Sequence, residues 1–479
     1  MADQDILLTD EQVQHFILDG YIVLNADYPA SFHRGLHDQI EEVFEKEGNV
    51  GNNILPRVPG IRQVFNHPVV SGALTSLLGP DYLLNPHRHC HLNPPGSKGQ
   101  TWHKDCYVYD HNIRHPRFHW VLAFYYPQDT TEDMGASGVI PGTHIYKTIS
   151  DADPNKTTEP GLSICGPAGT VALIHFDSWH RATPNISKMK RYMLKFQFAR
   201  TREPQAPTWN HTSEGWTPPE TDPNPAVSLD VWKWLCGDSS GSAGTSADLI
   251  ALQRDLQDPS EGVCLNAAYA LAKAGEPAIP VLIDAMREET LKTVDETTAT
   301  TADNAHGTNP TAGVAARALS TMGEVAIPAL LTEAGHEDWW VRSMAVDVLT
   351  KMGPVAKSAL PALTEGLEDD HWWVRRNCAE ALKAVGEYSE STITALANAV
   401  GDPDYRVRRN AALAIADAGP DAEAAIPNLL ASLDDENRYN RFYAANALKG
   451  IGTPRANATL LDTLFTARWC PMTTPESTF

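Results

Sequence analysis

Thr170-Val171-Ala172-Leu173-Ile174-His175-Phe176-Asp177-Ser178-Trp179-His180 decides how the first half of this chain is read. The apolar, β-branched run Thr170 to Ile174 is a strand. His180 then falls at the strand end or in the turn after it, where a barrel mouth can present it. A similar run, Tyr21-Ile22-Val23-Leu24, follows a helix start: Thr9-Asp10-Glu11-Gln12 is a capping box, Val13, Phe16 and Ile17 share one helical face, and Gly20 is the stop. Up to about residue 235 the text stays irregular, rich in Pro, His and aromatics, with short apolar runs between turn clusters.

Upstream of that strand lies Trp102-His103-Lys104-Asp105. On an extended backbone His103 and Asp105 point to the same side and can grip one ion, with Lys104 pointing away. Adding His180 makes two imidazoles and one carboxylate, the facial ligand set of non-haem Fe(II) oxygenases, which leaves coordination positions open. The alternating run His87-Arg88-His89-Cys90-His91 invites a metal reading too. Equally spaced residues on one straight strand face sit about 7 Å apart, however, too far for all three to share an ion, so these histidines are expected to line a pocket or pack in the core. Eleven residues past His180, beyond the turn cluster Thr183-Pro184-Asn185-Ile186-Ser187, stands Arg191. A guanidinium can grip a carboxylate bidentately, as holding the distal end of 2-oxoglutarate requires.

The second half has a different grammar. After Gly237-Asp238-Ser239-Ser240-Gly241-Ser242-Ala243-Gly244, a flexible linker composition, the text from Asp248 is Ala- and Leu-rich with helical spacing. Gly353, Gly386, Gly419 and Gly452 recur every 33 residues, and Val341-Arg342, Val374-Arg375 and Val407-Arg408 keep the same step. Pro opens each following helix, as in Ala326-Ile327-Pro328 and Ala425-Ile426-Pro427, and Gly closes the one before it. One helix pair cannot bury its own apolar stripe, so the units must stack as a solenoid. The pattern resembles HEAT repeats over about 220 residues. Gly275 to Gly323 is 48 residues, a surplus of 15 over the period, placed at 288–310 and expected as a loop. Trp339, Trp372 and Tyr405 hold the same place in successive repeats and should lie in a row, either anchoring a partner or packing between repeats.

Composition narrows the function classes. The chain has 479 residues with 38 Lys+Arg against 60 Asp+Glu, net −22, a field that repels nucleic acid and anionic membrane surfaces. Residues 241–479 alone carry 19 Lys+Arg and 33 Asp+Glu, net −14. Seven cysteines, far apart and never in a C-x-x-C pair, indicate neither a disulfide frame nor structural zinc. With no signal core or membrane span read in the text, a cytoplasmic location is expected. The sequons at Asn155, Asn185, Asn210 and Asn457 are read as chance.

The order helix-Gly20-Tyr21, Trp102-His103-Lys104-Asp105, Gly135-Ala136-Ser137-Gly138-Val139-Ile140-Pro141-Gly142-Thr143-His144, then His180, Asn185-Ile186-Ser187 and Arg191 resembles the phytanoyl-CoA dioxygenase family over nearly all of residues 7–203. The resemblance implies a double-stranded β-helix (a jelly roll, cupin-like) with flanking helices, working with Fe(II), 2-oxoglutarate and O2. Carried over residue by residue, His103, Asp105 and His180 would be catalytic iron ligands and Arg191 the co-substrate anchor, while the segment holding His144 is a supporting turn. Family members often place a small hydroxyl residue two positions after the second histidine. Ala182 stands there, leaving Thr183 as the candidate for that co-substrate contact. Retention of Asp105 argues for hydroxylation over halogenation, since no coordination site is vacated for chloride. The expected plan is a dioxygenase-like domain at 1–235, a linker at 236–247, HEAT-like repeats at 248–470 and a tail at 471–479. The expected function is hydroxylation of a small organic substrate with release of succinate and CO2, the repeats serving partner binding or substrate access. Two rivals stand beside it: a non-catalytic scaffold with a relic barrel, and a protein hydroxylase whose solenoid recruits its substrate.

Overall fold

A computed structural model describes residues 6–105, 115–147, 161–213, 215–238, 247–300 and 313–466. Cys106, Tyr107, Tyr109, most of the expected linker, residues 301–310 of the insertion and the tail lie outside the described residues. The chain divides into two compact units, the main boundary in the sequence falling between Cys236 and Gly237.

Among its described residues the first unit holds eight strands: β1 (Tyr21–Asn25), β2 (Leu83–Asn93), β3 (Trp120–Tyr125), β4 (Ser137–Val139), β5 (Leu162–Ile164), β6 (Thr170–His175), β7 (His180–Ala182) and β8 (Arg191–Ala199). They form a five-stranded sheet in the order β1-β6-β3-β8-β2 and a three-stranded sheet in the order β5-β4-β7, antiparallel throughout. This is the double-stranded β-helix. The two runs read as strands in the text pair with each other, Tyr21 opposite Ile174 and Leu24 opposite Val171.

Strand β8 shows why one face meets a core and the other a hollow. Its even positions Tyr192, Leu194, Phe196 and Phe198 join a large apolar cluster with Phe16, Leu36, Ile40, Phe65 and Leu74 from the flanking helices. Burying each such side chain contributes about 1.5–3 kcal/mol. The odd positions Arg191, Met193 and Lys195 turn inward and line the hollow between the sheets.

The opening helix, Asp10–Asp19, has the capping box, with Thr9 and Gln12 bonded reciprocally, and Gly20 closes it at φ 75°. Asp10 also knots this helix to a distant segment. Its carboxylate accepts from Trp209 Nε1 at 2.6 Å, His211 Nδ1 at 2.8 Å and the Thr212 and Ser213 backbone N–H groups, both at 2.9 Å. Burial works to raise its pKa, but the donors from Ser213, Trp209, Thr212 and His211 outweigh it and hold the carboxyl well below the usual carboxylate range. The sequon at Asn185 is buried, its amide donating to the Asn93 and Met189 carbonyls, so that side chain is a turn organiser.

Among its described residues the second unit is all helix. Helix pairs such as Ile327–Ala334 with Trp339–Met352, and Leu360–Glu365 with Trp372–Val385, repeat down the chain. Gly353, Gly386, Gly419 and Gly452 end helices at positive φ, which other residues reach only with strain. The repeated Val-Arg step is also explained. Arg375 sends Nη1 to the Asp369 and Asp370 carbonyls at 2.9 and 3.2 Å and forks Nε and Nη2 onto Asp402 at 2.7 and 3.0 Å. Arg342 does the same with Asp369, and Arg408 with Asp435. Each guanidinium thus fastens one repeat to the next. Trp339, Trp372 and Tyr405 do lie in a row, with His371 stacked on Trp339 at 3.7 Å and Arg406 over Trp372 at 3.4 Å.

One expectation is corrected. Residues 288–300, expected as loop, continue the helix Ile279–Thr300. Thr290 is buried with its hydroxyl on Met344 Sδ at 3.0 Å, and the Glu289 carboxylate accepts from Ala315 N at 3.1 Å at the start of the helix Val314–Leu319. Threonine's weak helix propensity is overridden here by burial and by a capping role.

Asp10→Ala is expected to lower the unfolding free energy by about 2–4 kcal/mol, since it strands several buried donors. Because the folded carboxyl sits below the ordinary unfolded value near 3.9, its contribution is complete above that pH and is lost as pH falls below it. Urea titrations from pH 7 to 3 should therefore show a shallower acid dependence in the variant; parallel curves would refute the account. In the solenoid, Arg375→Lys should cost about 2 kcal/mol, because an ammonium cannot fork onto Asp402 while also reaching two carbonyls.

Candidate functional site

The site is built where the chain changes sheets. β6 ends at His175, the turn closes with Ser178 N on the His175 carbonyl at 3.0 Å, and β7 begins at His180 in the other sheet. His103 meets it there: His103 N donates to the His180 carbonyl and His180 N to the His103 carbonyl, both at 3.0 Å. Opposed in this way, the two imidazoles have ring centroids 4.6 Å apart. Asp105, two residues along, is buried, with Oδ2 3.7 Å from His180 Nε2. The donor atoms of His103, Asp105 and His180 all lie within 4.8 Å of one another.

These residues suit a metal ion. His103 Nδ1 is 2.9 Å from the Thr101 carbonyl and His180 Nδ1 is 3.0 Å from the Ser178 carbonyl. Both Nδ1 atoms therefore carry the proton, which leaves each Nε2 lone pair free to bind. His180 Nε2 is buried with no hydrogen-bond partner, a cost that a ligated cation would remove. Burial, aided by the Lys195 charge and opposed by Asp105, pushes the His180 pKa down to about 4, so the ring is neutral at physiological pH. Burial works to raise the Asp105 pKa, but Lys195 and then His180 hold it well below the carboxylate range.

Arg191 opens β8 and is fully buried. Its Nε and Nη2 both donate to the Gly135 carbonyl, at 3.0 and 2.6 Å, and Asn93 Nδ2 donates to the same oxygen at 3.0 Å. Gly135 adopts φ +75°, and a Cβ there would sit 2.2 Å from Asn93 Nδ2 and 2.7 Å from the Thr183 carbonyl oxygen. A hollow of about 170 Å³ is lined by His103, His180 and Arg191, with Phe124 and Met193 on its apolar side.

Not every expected residue faces this hollow. Thr183 gives its hydroxyl to the Ala136 carbonyl at 2.8 Å and is not among the lining residues, so its hydroxyl is committed to the barrel wall. Lys104 points away, as expected, into a buried pair with Asp177 at 2.8 Å that ties the metal-motif segment to the sheet-changing turn. His144 is also structural: Nε2 is 3.0 Å from the Ile17 carbonyl. Trp102 packs with Ile140 and Trp179, and Trp120 is buried beside Phe176. His91 does line the hollow.

The residue missed in the text is Lys195. Its Nζ lies 2.8 Å from Asp105 Oδ2, both side chains are buried, and it lines the hollow. Period two was the available signal: once Arg191 faces inward, Met193 and Lys195 on the same strand must follow.

Residues 24–193 match the phytanoyl-CoA dioxygenase (PhyH) family, and segments within 309–468 match HEAT repeats. The chain carries a phytanoyl-CoA dioxygenase domain and HEAT repeats. Among curated proteins, the chain is similar to a probable alpha-ketoglutarate-dependent hypophosphite dioxygenase of Stutzerimonas stutzeri, 24% identical over 184 residues, which is 33% of this chain and 61% of that protein. The chain thus spans about three fifths of that relative's length. Among solved structures it is similar to the nickel complex of the non-heme monooxygenase ThoJ (17% identity, 46% of this chain and 94% of that one, TM-score 0.33). It is also similar to HygX from Streptomyces hygroscopicus with nickel and 2-oxoglutarate bound (14% identity, 41% and 88%, TM-score 0.35).

Gly135→Ala is expected to lower stability by about 1–3 kcal/mol, from strain at positive φ and displacement of the carbonyl that three donors share. Thermal unfolding checks this, and an unchanged midpoint would refute the clamp.

Proposed function

We propose that this protein is an Fe(II)- and 2-oxoglutarate-dependent dioxygenase that hydroxylates a small organic substrate, with release of succinate and CO2. One observation carries the reading: His103, His180 and Arg191, from three separate stretches of chain, line one hollow, and Asp105 brings its carboxylate within 4.8 Å of the donor atoms of both imidazoles. The PhyH match and the relative described as alpha-ketoglutarate-dependent support the same co-substrate. A ferrous ion held by His103 Nε2, the Asp105 carboxylate and His180 Nε2 would supply the activation of O2 that couples decarboxylation of 2-oxoglutarate to substrate hydroxylation.

The chain's own residues prepare that chemistry. The Thr101 and Ser178 carbonyls fix both imidazole tautomers, and Lys195 keeps Asp105 ionised. Arg191, held from behind by the Gly135 carbonyl, offers its Nη1 edge to the distal carboxylate of 2-oxoglutarate. Phe124 and Met193 give the hollow an apolar lining, which disfavours water beside the reacting groups. The HEAT repeats we assign to a protein partner or to substrate access, supported by the half-exposed Trp339–His371–Trp372 row. Cys90, Cys165, Cys264 and Cys378 are free thiols, which supports a reducing, cytoplasmic setting. No helix among the described residues is long and apolar enough to cross a membrane.

Succinate release from 2-oxoglutarate should require ferrous iron and fall at least about 100-fold in Asp105→Ala and His180→Ala. Arg191→Met should instead raise the KM for 2-oxoglutarate while iron binding, followed by equilibrium dialysis, stays intact. Iron-independent succinate formation would overturn the proposal.

A further inference from the structure

One polar group of the hollow is used neither by the metal ligands nor by the Arg191 clamp. His91 stands on β2 opposite Met193 of β8, and directly opposed residues of an antiparallel pair share a face. Both accordingly line the hollow. His91 Nε2 is buried with no hydrogen-bond partner, and a buried polar edge left bare costs stability unless a ligand satisfies it.

Polar groups nearby are already committed. Asn93 Nδ2 donates to the Gly135 and Thr183 carbonyls, both at 3.0 Å, the Thr183 hydroxyl serves the Ala136 carbonyl, and Gln100 Oε1 accepts from Ala182 N at 3.1 Å. Ala182 and Thr183, which follow the second histidine, therefore give the co-substrate no hydroxyl. The larger sheet offers an imidazole instead.

Register also decides which end of the co-substrate the ring meets. Arg191, Met193 and Lys195 follow one another along one face of β8, so His91, opposite Met193, sits between the Arg191 anchor and the Lys195–Asp105 pair. Two residues of strand span about 7 Å, comparable to 2-oxoglutarate from one carboxylate to the other. With the distal carboxylate on Arg191, the ring falls beside the keto acid half. Burial first, and then the Lys195 charge, push the His91 pKa down to about 2, so the ring is neutral and holds one proton to donate.

We propose that His91 Nε2–H donates to the C1 carboxylate of 2-oxoglutarate, the end that Arg191 does not reach. This rests on the dioxygenase reading above. The co-substrate is then held at both ends from the larger sheet, by Arg191 on β8 and His91 on β2, and a donor at the keto acid end fixes how that end turns as well as how tightly it binds.

The test is an anaerobic titration of the full ferrous protein, read by the visible charge-transfer band of an iron-chelated keto acid. Two ligands separate the ends: 2-oxoglutarate, and 2-oxobutyrate, which keeps the keto acid and lacks the distal carboxylate. His91→Phe is expected to raise the Kd at least about tenfold for both, whereas Arg191→Met should do so for 2-oxoglutarate alone. His91→Gln, whose amide restores an N–H, should recover most of the loss. Iron binding by dialysis and the unfolding midpoint should match the unaltered protein in both His91 variants, and His91→Met carries the same test if phenylalanine does not fold. A His91→Phe loss confined to 2-oxoglutarate overturns the proposal, because the ring would then serve the distal end. A glutamine variant as weak as the phenylalanine one overturns it as well, since the ring's role would be packing. No band in the unaltered protein sinks the dioxygenase reading and this inference with it. A normal band with His91→Phe within about twofold of the unaltered Kd sinks the inference alone.

Discussion

Two backbone hydrogen bonds, from His103 to His180 and back, each 3.0 Å, are the constraint on which the rest of the N-terminal unit depends. They are ordinary antiparallel pairing, yet they join a segment after β2 to the first residue of β7 across 77 positions of chain. Side chains directly opposed in an antiparallel pair stand on the same face. Pairing the backbones therefore presents both imidazoles to one hollow, and Asp105, two residues on, joins them by the period of the strand.

Keeping such a group of polar side chains dry demands compensation, and the structure supplies it in layers. The Nδ1 atoms face carbonyls, Asp105 has Lys195, and Arg191 has the Gly135 oxygen. Lys104 and Asp177 form a second buried pair that fixes the turn delivering His180. What stays uncompensated, His180 Nε2 among it, faces the place where a cation fits. The unsatisfied atoms thus outline a ligand, and the apolar cluster on the other face of the large sheet provides the stability that tolerates them.

The helical unit solves a different problem with a repeated device. Its Arg–Asp forks recur with the 33-residue step and link neighbours, so order is passed from repeat to repeat by the same bidentate contact. The insertion respects that plan: its first part lengthens a helix and lends Glu289 to the start of the next one.

What the linear text determined was local or periodic: the capping box at Thr9, the strands at Tyr21 and Thr170, the glycine and Val-Arg steps of the solenoid, and the candidate residues His103, Asp105, His180 and Arg191. Each is carried by spacing or by residue chemistry that survives without knowledge of neighbours. Tertiary structure alone decided that Lys195 lies against Asp105, that the Thr183 hydroxyl is spent on Ala136, that Gly135 holds Arg191 from behind, and that residues 288–300 are helix. The physical reason is common to all four. Strand register and the sheet change after His175 fix which distant groups share a dry space, and a side chain's role there is set by the partner it meets, which no local pattern encodes.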